Sequence, residues 1–106
     1  MEGNVVVEKD GILLAQAIMN KTRLEILDTL DEPMHISGIA EKMGLDRSTV
    51  AYHLNLLKKV GIVSNEYRPL TNPMRGWVGN YFIINREVLE EAIELVEKDF
   101  QKVRKK

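Results

Sequence analysis

Between His35 and Lys59 the chain reads HISGIAEKMGLDRSTVAYHLNLLKK, and its most versatile recognition groups crowd the middle of that stretch. Arg47, Ser48, Thr49, Tyr52, His53 and Asn55 bring a guanidinium, two hydroxyls, a phenol, an imidazole and an amide within nine residues. Such groups recognise by hydrogen bonding. A guanidinium can bond a guanine edge at two points, worth about 1–3 kcal/mol of discrimination between bases. The hydroxyls, and Lys58 further on, suit phosphate oxygens. Covalent chemistry lacks its usual parts. There is no cysteine, and there are only two histidines, His35 and His53. No phosphate-cradling glycine loop, nucleophile elbow or paired acid and base is present. The sequence therefore predicts a binding protein, not an enzyme, with no cofactor and no metal.

Two elements must position those groups. Ile39, Ala40 and Met43 form an apolar stripe at helical spacing, and Val50, Leu54 and Leu57 form a second. Gly44-Leu45 lies between them as a turn. With the stripes locked together, Arg47, Ser48, Ala51, Tyr52 and Asn55 are expected to face outward. A supporting helix, a tight turn and a polar-fronted second helix are the parts of a helix-turn-helix, which presents its second helix to a DNA major groove.

The charge distribution fits that expectation better than the total does. The formal net charge is −1, yet residues 1–33 carry −4, residues 34–86 carry +4 and residues 87–106 carry −1. Positive charge is thus concentrated on the segment that holds the helix-turn-helix, as a phosphate-facing surface requires.

The flanking segments complete an architecture. At 106 residues the sequence is expected to form one domain. Val5, Val6 and Val7 suggest a weak edge strand or simple packing, and Ile12 to Met19 a short apolar helix. Asn20 is placed to cap a further helix running to Leu30, with Leu24, Leu27 and Leu30 as its apolar face. Asp31-Glu32-Pro33 ends it, because proline disfavours helix in the residue before it. Gly61 stops the second helix of the pair, and Lys58 and Lys59 suit the negative end of its dipole.

Beyond Gly61 the period changes. Residues 62–68 and 77–84 are rich in β-branched and aromatic side chains, and a turn-forming stretch, residues 69–76, joins them. The hairpin at 62–84 makes a wing, so the expected order is α-α-α-α-β-β-α: mainly α with a small β-hairpin. Arg68 and Arg75 flank the wing tip, within reach of phosphate or minor groove. Trp77 and Tyr81 read as sheet packing. A last helix is expected over residues 86–105, with Asn85 as its cap. Leu89, Ile93, Val96, Phe100 and Val103 form a seam spaced four, three, four, three, suited to a second copy of the same helix. Val88, Ala92 and Leu95 would pack on its own domain.

These motifs together resemble the ArsR family of winged-helix repressors. Asn20-Lys21-Thr22-Arg23-Leu24-Glu25-Ile26-Leu27 is similar to that family's D-P-T-R-L-x-I-L opening. Ile39 to Leu45 resembles its L-A-x-x-L-G-L segment, Ser48 to Leu54 its S-T-V-S-x-H-L recognition helix, and Leu57 to Val63 its L-x-x-x-G-L-V exit. The resemblance spans roughly residues 12–100. It implies a homodimeric, sequence-specific binder of double-stranded DNA that usually represses transcription. It also implies that the first and last helices form the dimer interface, which adds Ile12 and Leu13 to the seam.

The departures from the family pattern carry information too. Where family metal sensors have E-L-C-V-C-D-L, this chain has Met34-His35-Ile36-Ser37-Gly38-Ile39, so His35 and Ser37 replace the two thiolates. The last helix has no histidine for the family's second metal site. Metal sensing by either arrangement is not expected. The wing tip is longer than the family's usual turn.

Plainer readings compete at individual positions. Arg47 reads either as a base contact or as a solvated neighbour of Asp46. Thr49 reads as a phosphate ligand or as the partner of a free helix-end amide. His53 reads as packed, phosphate-bound or base-bound. For the whole chain, the alternative is a winged-helix module that binds a protein of the transcription or RNA machinery. The absence of acidic residues among Arg47, Ser48, Tyr52 and Asn55 favours nucleic acid. No basic-then-apolar leader and no long apolar run are seen, so the expected setting is cytoplasmic and off the membrane.

Overall fold

The computed structural model describes residues 11–69 and 78–106. Five helices and one hairpin follow in the expected order. Helix α1 covers residues 11–18, α2 Lys21–Thr29, α3 Ile36–Met43 and α4 Arg47–Lys59. Strands β1 (Val63–Pro69) and β2 (Val78–Ile84) precede α5, Arg86–Arg104. The valines at positions 5–7, the wing tip beyond Pro69, Arg75 and Trp77 lie outside the described residues.

The core forms where the apolar stripes converge. Ile26 of α2, Ile39 of α3, and Val50, Leu54 and Leu57 of α4 are all fully buried. Ile62 and Val63, entering the wing, close over the same cluster with Phe82 of β2 and Ala92 of α5. Burying a side chain of this size contributes about 1.5–3 kcal/mol. One residue breaks the expected pattern. Leu24 is 49% exposed, and the inward face of α2 is Ile26, Leu27 and Leu30. A 3.6-residue period placed from Leu27 admits Ile26 and Leu30 beside it and turns position 24 toward the rim.

The helix ends explain the sharpness of the turns. Asn20 caps α2 as expected, its side-chain oxygen accepting the Arg23 N–H at 3.0 Å. Gly44 ends α3 in the left-handed region at φ +67°, and the Leu45 N–H reaches back to the Ala40 carbonyl at 3.1 Å. Gly61 repeats the device after α4 at φ +83°, with the Ile62 N–H on the Leu57 carbonyl at 3.0 Å. Glycine adopts this conformation without the crowding a Cβ brings. The cap expected at Asn85 differs. That residue occupies the N-cap position of α5 but its side chain makes no capping bond. Its backbone N–H is instead tied to the Ile62 carbonyl at 2.8 Å, fixing the start of α5 to the base of the wing.

The wing is an antiparallel pair, with Val63 opposite Ile84 and Tyr67 opposite Asn80. The Asn65 and Asn80 side chains bond across it at 2.8 Å. A third, one-residue strand joins from before α3. Met34 and Phe82 exchange both backbone bonds, at 2.6 and 3.1 Å. The segment before α3 and the start of α5 are thereby both fastened to the base of the wing.

The cap at Gly44 gives a direct test. A Cβ built there meets nothing within 4 Å, so the cost of Gly44→Ala is conformational alone. Gly44→Ala should lose about 1–2 kcal/mol of unfolding free energy in urea, with an unchanged slope. A variant as stable as the parent would show that the left-handed cap does not constrain the turn.

Candidate nucleic-acid interface

The outward edge of α4 is set by its buried one. Because Val50, Leu54 and Leu57 are fully enclosed, the positions between them must point away from the protein. Arg47, Ser48, Tyr52, Asn55 and Lys58 are all exposed, Tyr52 to 61% despite its aromatic ring. Ala51 is half-buried. The structure thus brings the predicted contact residues onto one continuous edge. Arg47 makes no salt bridge among the described residues.

Asp46 does something else. It is the N-cap of α4, and its carboxylate accepts the Thr49 N–H at 2.9 Å and the Ser48 hydroxyl at 3.1 Å. Bonds from the Thr49 side chain, the Thr49 N–H and the Ser48 hydroxyl hold this carboxyl below the ordinary aspartate range. The free amide at the helix start is therefore satisfied by Asp46, and both helix-end hydroxyls serve that carboxylate in the unbound protein. A phosphate approaching them must take over donors already in use, next to a negative charge.

His53 is held by a residue the sequence reading did not single out. Arg23 of α2 donates from Nε to the Ala17 carbonyl at 2.6 Å and from Nη1 to the His53 Nδ1 at 3.1 Å. An arginine can only donate, so Nδ1 accepts and the imidazole proton belongs on Nε2. The ring also meets the edge of Tyr52, with centroids 5.1 Å apart. Of the three readings, the structure supports a packed histidine, one that joins α1, α2 and α4. Sequence held a faint sign of this, since Arg23 and His53 each sit inside one of the quoted motifs. Their meeting across thirty residues was not readable.

The remaining predicted positions divide. Arg68 is exposed but bound to Glu66, its Nε donating to the carboxylate at 2.6 Å within a salt bridge. It must leave that partner to reach a phosphate. Arg75 lies outside the described residues. Tyr81 packs its ring against His35 at 5.4 Å. Ile12 and Leu13 of α1 are 61% and 50% exposed, and Phe100 and Val103 near the end of α5 are 56% and 69% exposed. Leu89, Ile93 and Val96 are half-buried against their own core, as are Val88 and Leu95 on the other flank. No group of three or more metal-ligating side chains is arranged around one point among the described residues. Among those residues no helix is long and apolar enough to cross a membrane.

The Arg23–His53 contact makes stability depend on pH. Burial lowers the His53 pKa below its ordinary value, and the adjacent guanidinium lowers it further. The unfolded chain takes up its proton near pH 6.5, while the folded chain resists until a lower pH. The contact's contribution is present above about pH 6.5 and is lost as pH falls toward the folded pKa. Urea unfolding at about pH 7.5 and 5.5 should show a larger loss for the parent than for His53→Gln, which cannot titrate. Equal losses would disprove the coupling.

The comparisons with known proteins agree with this geometry. Residues 18–65 match the model of a helix-turn-helix domain. The structure resembles that of a possible transcriptional regulatory protein (fragment 1–100) from Mycobacterium bovis, with 26% identity and a TM-score of 0.66, over 88% of this chain and 95% of that one. It also resembles a homodimeric winged helix-turn-helix DNA-binding domain from the same organism, a possible ArsR-family regulator. There the identity is 24% and the TM-score 0.67, over 93% of this chain and 87% of the other. An ArsR-like transcriptional regulator from Rhodococcus sp. RHA1 shares 20% identity, with a TM-score of 0.66 over 93% and 87% of the two chains. No curated protein matches the sequence. With a helix-turn-helix domain matched over residues 18–65, and the wing and flanking helices in the same order as in these structures, this chain has a winged helix-turn-helix fold.

Proposed function

We propose that this chain is a transcriptional regulator that binds double-stranded DNA as a homodimer, acting as a repressor at an inverted-repeat operator. One observation carries the reading. The edge of α4 exposes Arg47, Ser48, Tyr52, Asn55 and Lys58 while its opposite face is sealed in the core. That combination supports a rigid helix carrying recognition groups with no acidic side chain among them. In this reading Arg47, Tyr52 and Asn55 read bases, and Ser48, Thr49, Lys58 and the wing arginines Arg68 and Arg75 hold phosphates. His53 contributes by setting the pose of α4.

The exposed apolar side chains of α1 and of the end of α5 support the dimer. Ile12, Leu13, Phe100 and Val103 are placed to meet a second copy, with Leu89, Ile93 and Val96 continuing the seam inward. A dimer doubles the positive segment and sets two recognition helices about 34–36 Å apart, one turn of DNA. The 106 residues act as a single winged-helix domain.

Selection of bound fragments from random DNA should enrich two-fold symmetric sites. Affinity should fall steeply with salt, with a logarithmic slope of about −0.9 for each phosphate neutralised. Arg47→Glu should abolish retention of the selected site. Normal retention by that variant would instead favour a protein-binding module. Asp46→Asn keeps a capping oxygen but removes the negative charge beside the phosphates. It should bind the selected site more tightly than the parent at low salt, by about threefold to tenfold. Weaker binding would show that the Asp46 charge is needed to orient Ser48 and Thr49.

A further inference from the structure

The same arginine that holds His53 also walls a groove between α1 and α4 that the reading face does not use. The groove encloses about 550 Å³, within the range of small-molecule sites. Its apolar walls are Leu13 and Ala17 of α1, Leu56 of α4 and Val60 just after it. The polar groups on it are Arg23, Lys59 and the amide of Gln16, and among the described residues no carboxylate lines it. Two cations over an apolar floor complement one kind of small molecule, a carboxylate carried on an apolar body.

We propose that this groove is an effector site for small organic acids, and that occupancy weakens DNA binding. The regulatory half rests on the DNA-binding reading above; the binding half does not. Arg23 uses two of the five N–H donors of its guanidinium on Ala17 and His53. An incoming carboxylate engages the same guanidinium and competes with the His53 acceptor. His53 is part of α4 and touches Tyr52, so the recognition helix feels the exchange. A second link is direct. Leu56 and Lys59 also wall a shallow depression shared with Tyr52, Asn55 and Lys58 on the reading edge. Two sites that bias one helix are coupled reciprocally: acid lowers DNA affinity, and DNA lowers acid affinity by the same factor. Leu13 belongs to both the groove and the proposed dimer seam, so the site opens at the edge of that seam.

The test begins without DNA. The full chain is titrated with straight-chain and aryl-substituted monocarboxylates of about six to ten carbons, and with the matching primary amides. Binding is followed by methyl chemical shifts of Leu13, Leu56 and Val60. The acids should move those methyls and bind about tenfold or more tightly than their amides. Lys59→Gln, at an exposed position where folding is not at risk, should remove most of that preference. Leu56→Trp, which fills the groove, should abolish binding of acids and amides alike. Equal binding of acids and amides, shifts confined to other surfaces, or no binding by any member overturns the site. So does binding that vanishes when the protein self-associates, which would show a second copy filling the groove. The selected DNA is then titrated with and without saturating acid. A protein that binds acids but shows unchanged DNA affinity overturns the regulatory half. A protein that binds acids but no DNA overturns the DNA-binding reading and leaves the groove assignment standing.

Discussion

The structure depends first on the burial of one face of α4. Val50, Leu54 and Leu57 have no exposed surface, and they lie among Ile26, Ile39, Ile62 and Val63, which are equally enclosed. A helix held this firmly cannot rotate. A turn of about 100° per residue would move a buried leucine into water and cost about 1.5–3 kcal/mol for each side chain displaced. The direction in which Arg47, Tyr52 and Asn55 project is therefore a consequence of core packing. Recognition groups on a loop would have no such constraint.

Around that helix the two ends are finished by different means. At its start an aspartate supplies the cap, and the negative charge suits the positive end of the helix dipole. At its end Lys58 and Lys59 meet the opposite pole before Gly61 turns the chain into the wing. Asp46 makes the unbound helix more stable but sits beside the phosphate contacts proposed for Ser48 and Thr49. It also occupies the hydroxyls that would bond them. If the proposed contacts form, folding and recognition compete for Ser48 and Thr49, which serve the helix cap in the unbound protein.

The Arg23–His53 contact gives this fold a polar tie at the edge of its apolar core. It joins the last turn of α1, the start of α2 and the middle of α4. No buried side-chain polar atom among the described residues is left without a partner. The tie sits between the proposed DNA-reading edge and the α1–α4 groove. In a domain this small, one guanidinium can therefore touch both surfaces without a long chain of intermediaries.

The order of elements, the turns at Gly44 and Gly61, the cap at Asn20 and the outward edge of α4 were all legible in the sequence. They depend on local properties: the 3.6-residue spacing of apolar side chains, the left-handed freedom of glycine and the capping chemistry of short polar residues. The lack of cysteine, and with it of any thiolate ligand, is likewise read from the sequence alone. Other features depended on which residues meet across the fold. Leu24 could be read inward as easily as outward until Ile26 was seen in the core. Asn85 held a capping position, but its backbone, not its side chain, ties α5 to the wing. That Arg68 is already bonded to Glu66, and must leave it to reach a phosphate, showed only once the side chains were placed. The bond from Arg23 to His53, and the groove beside it, come from helices that approach in space while remaining distant in sequence. Local chemistry determined what each segment would be; only the packing of one segment on another decided which polar groups are already occupied.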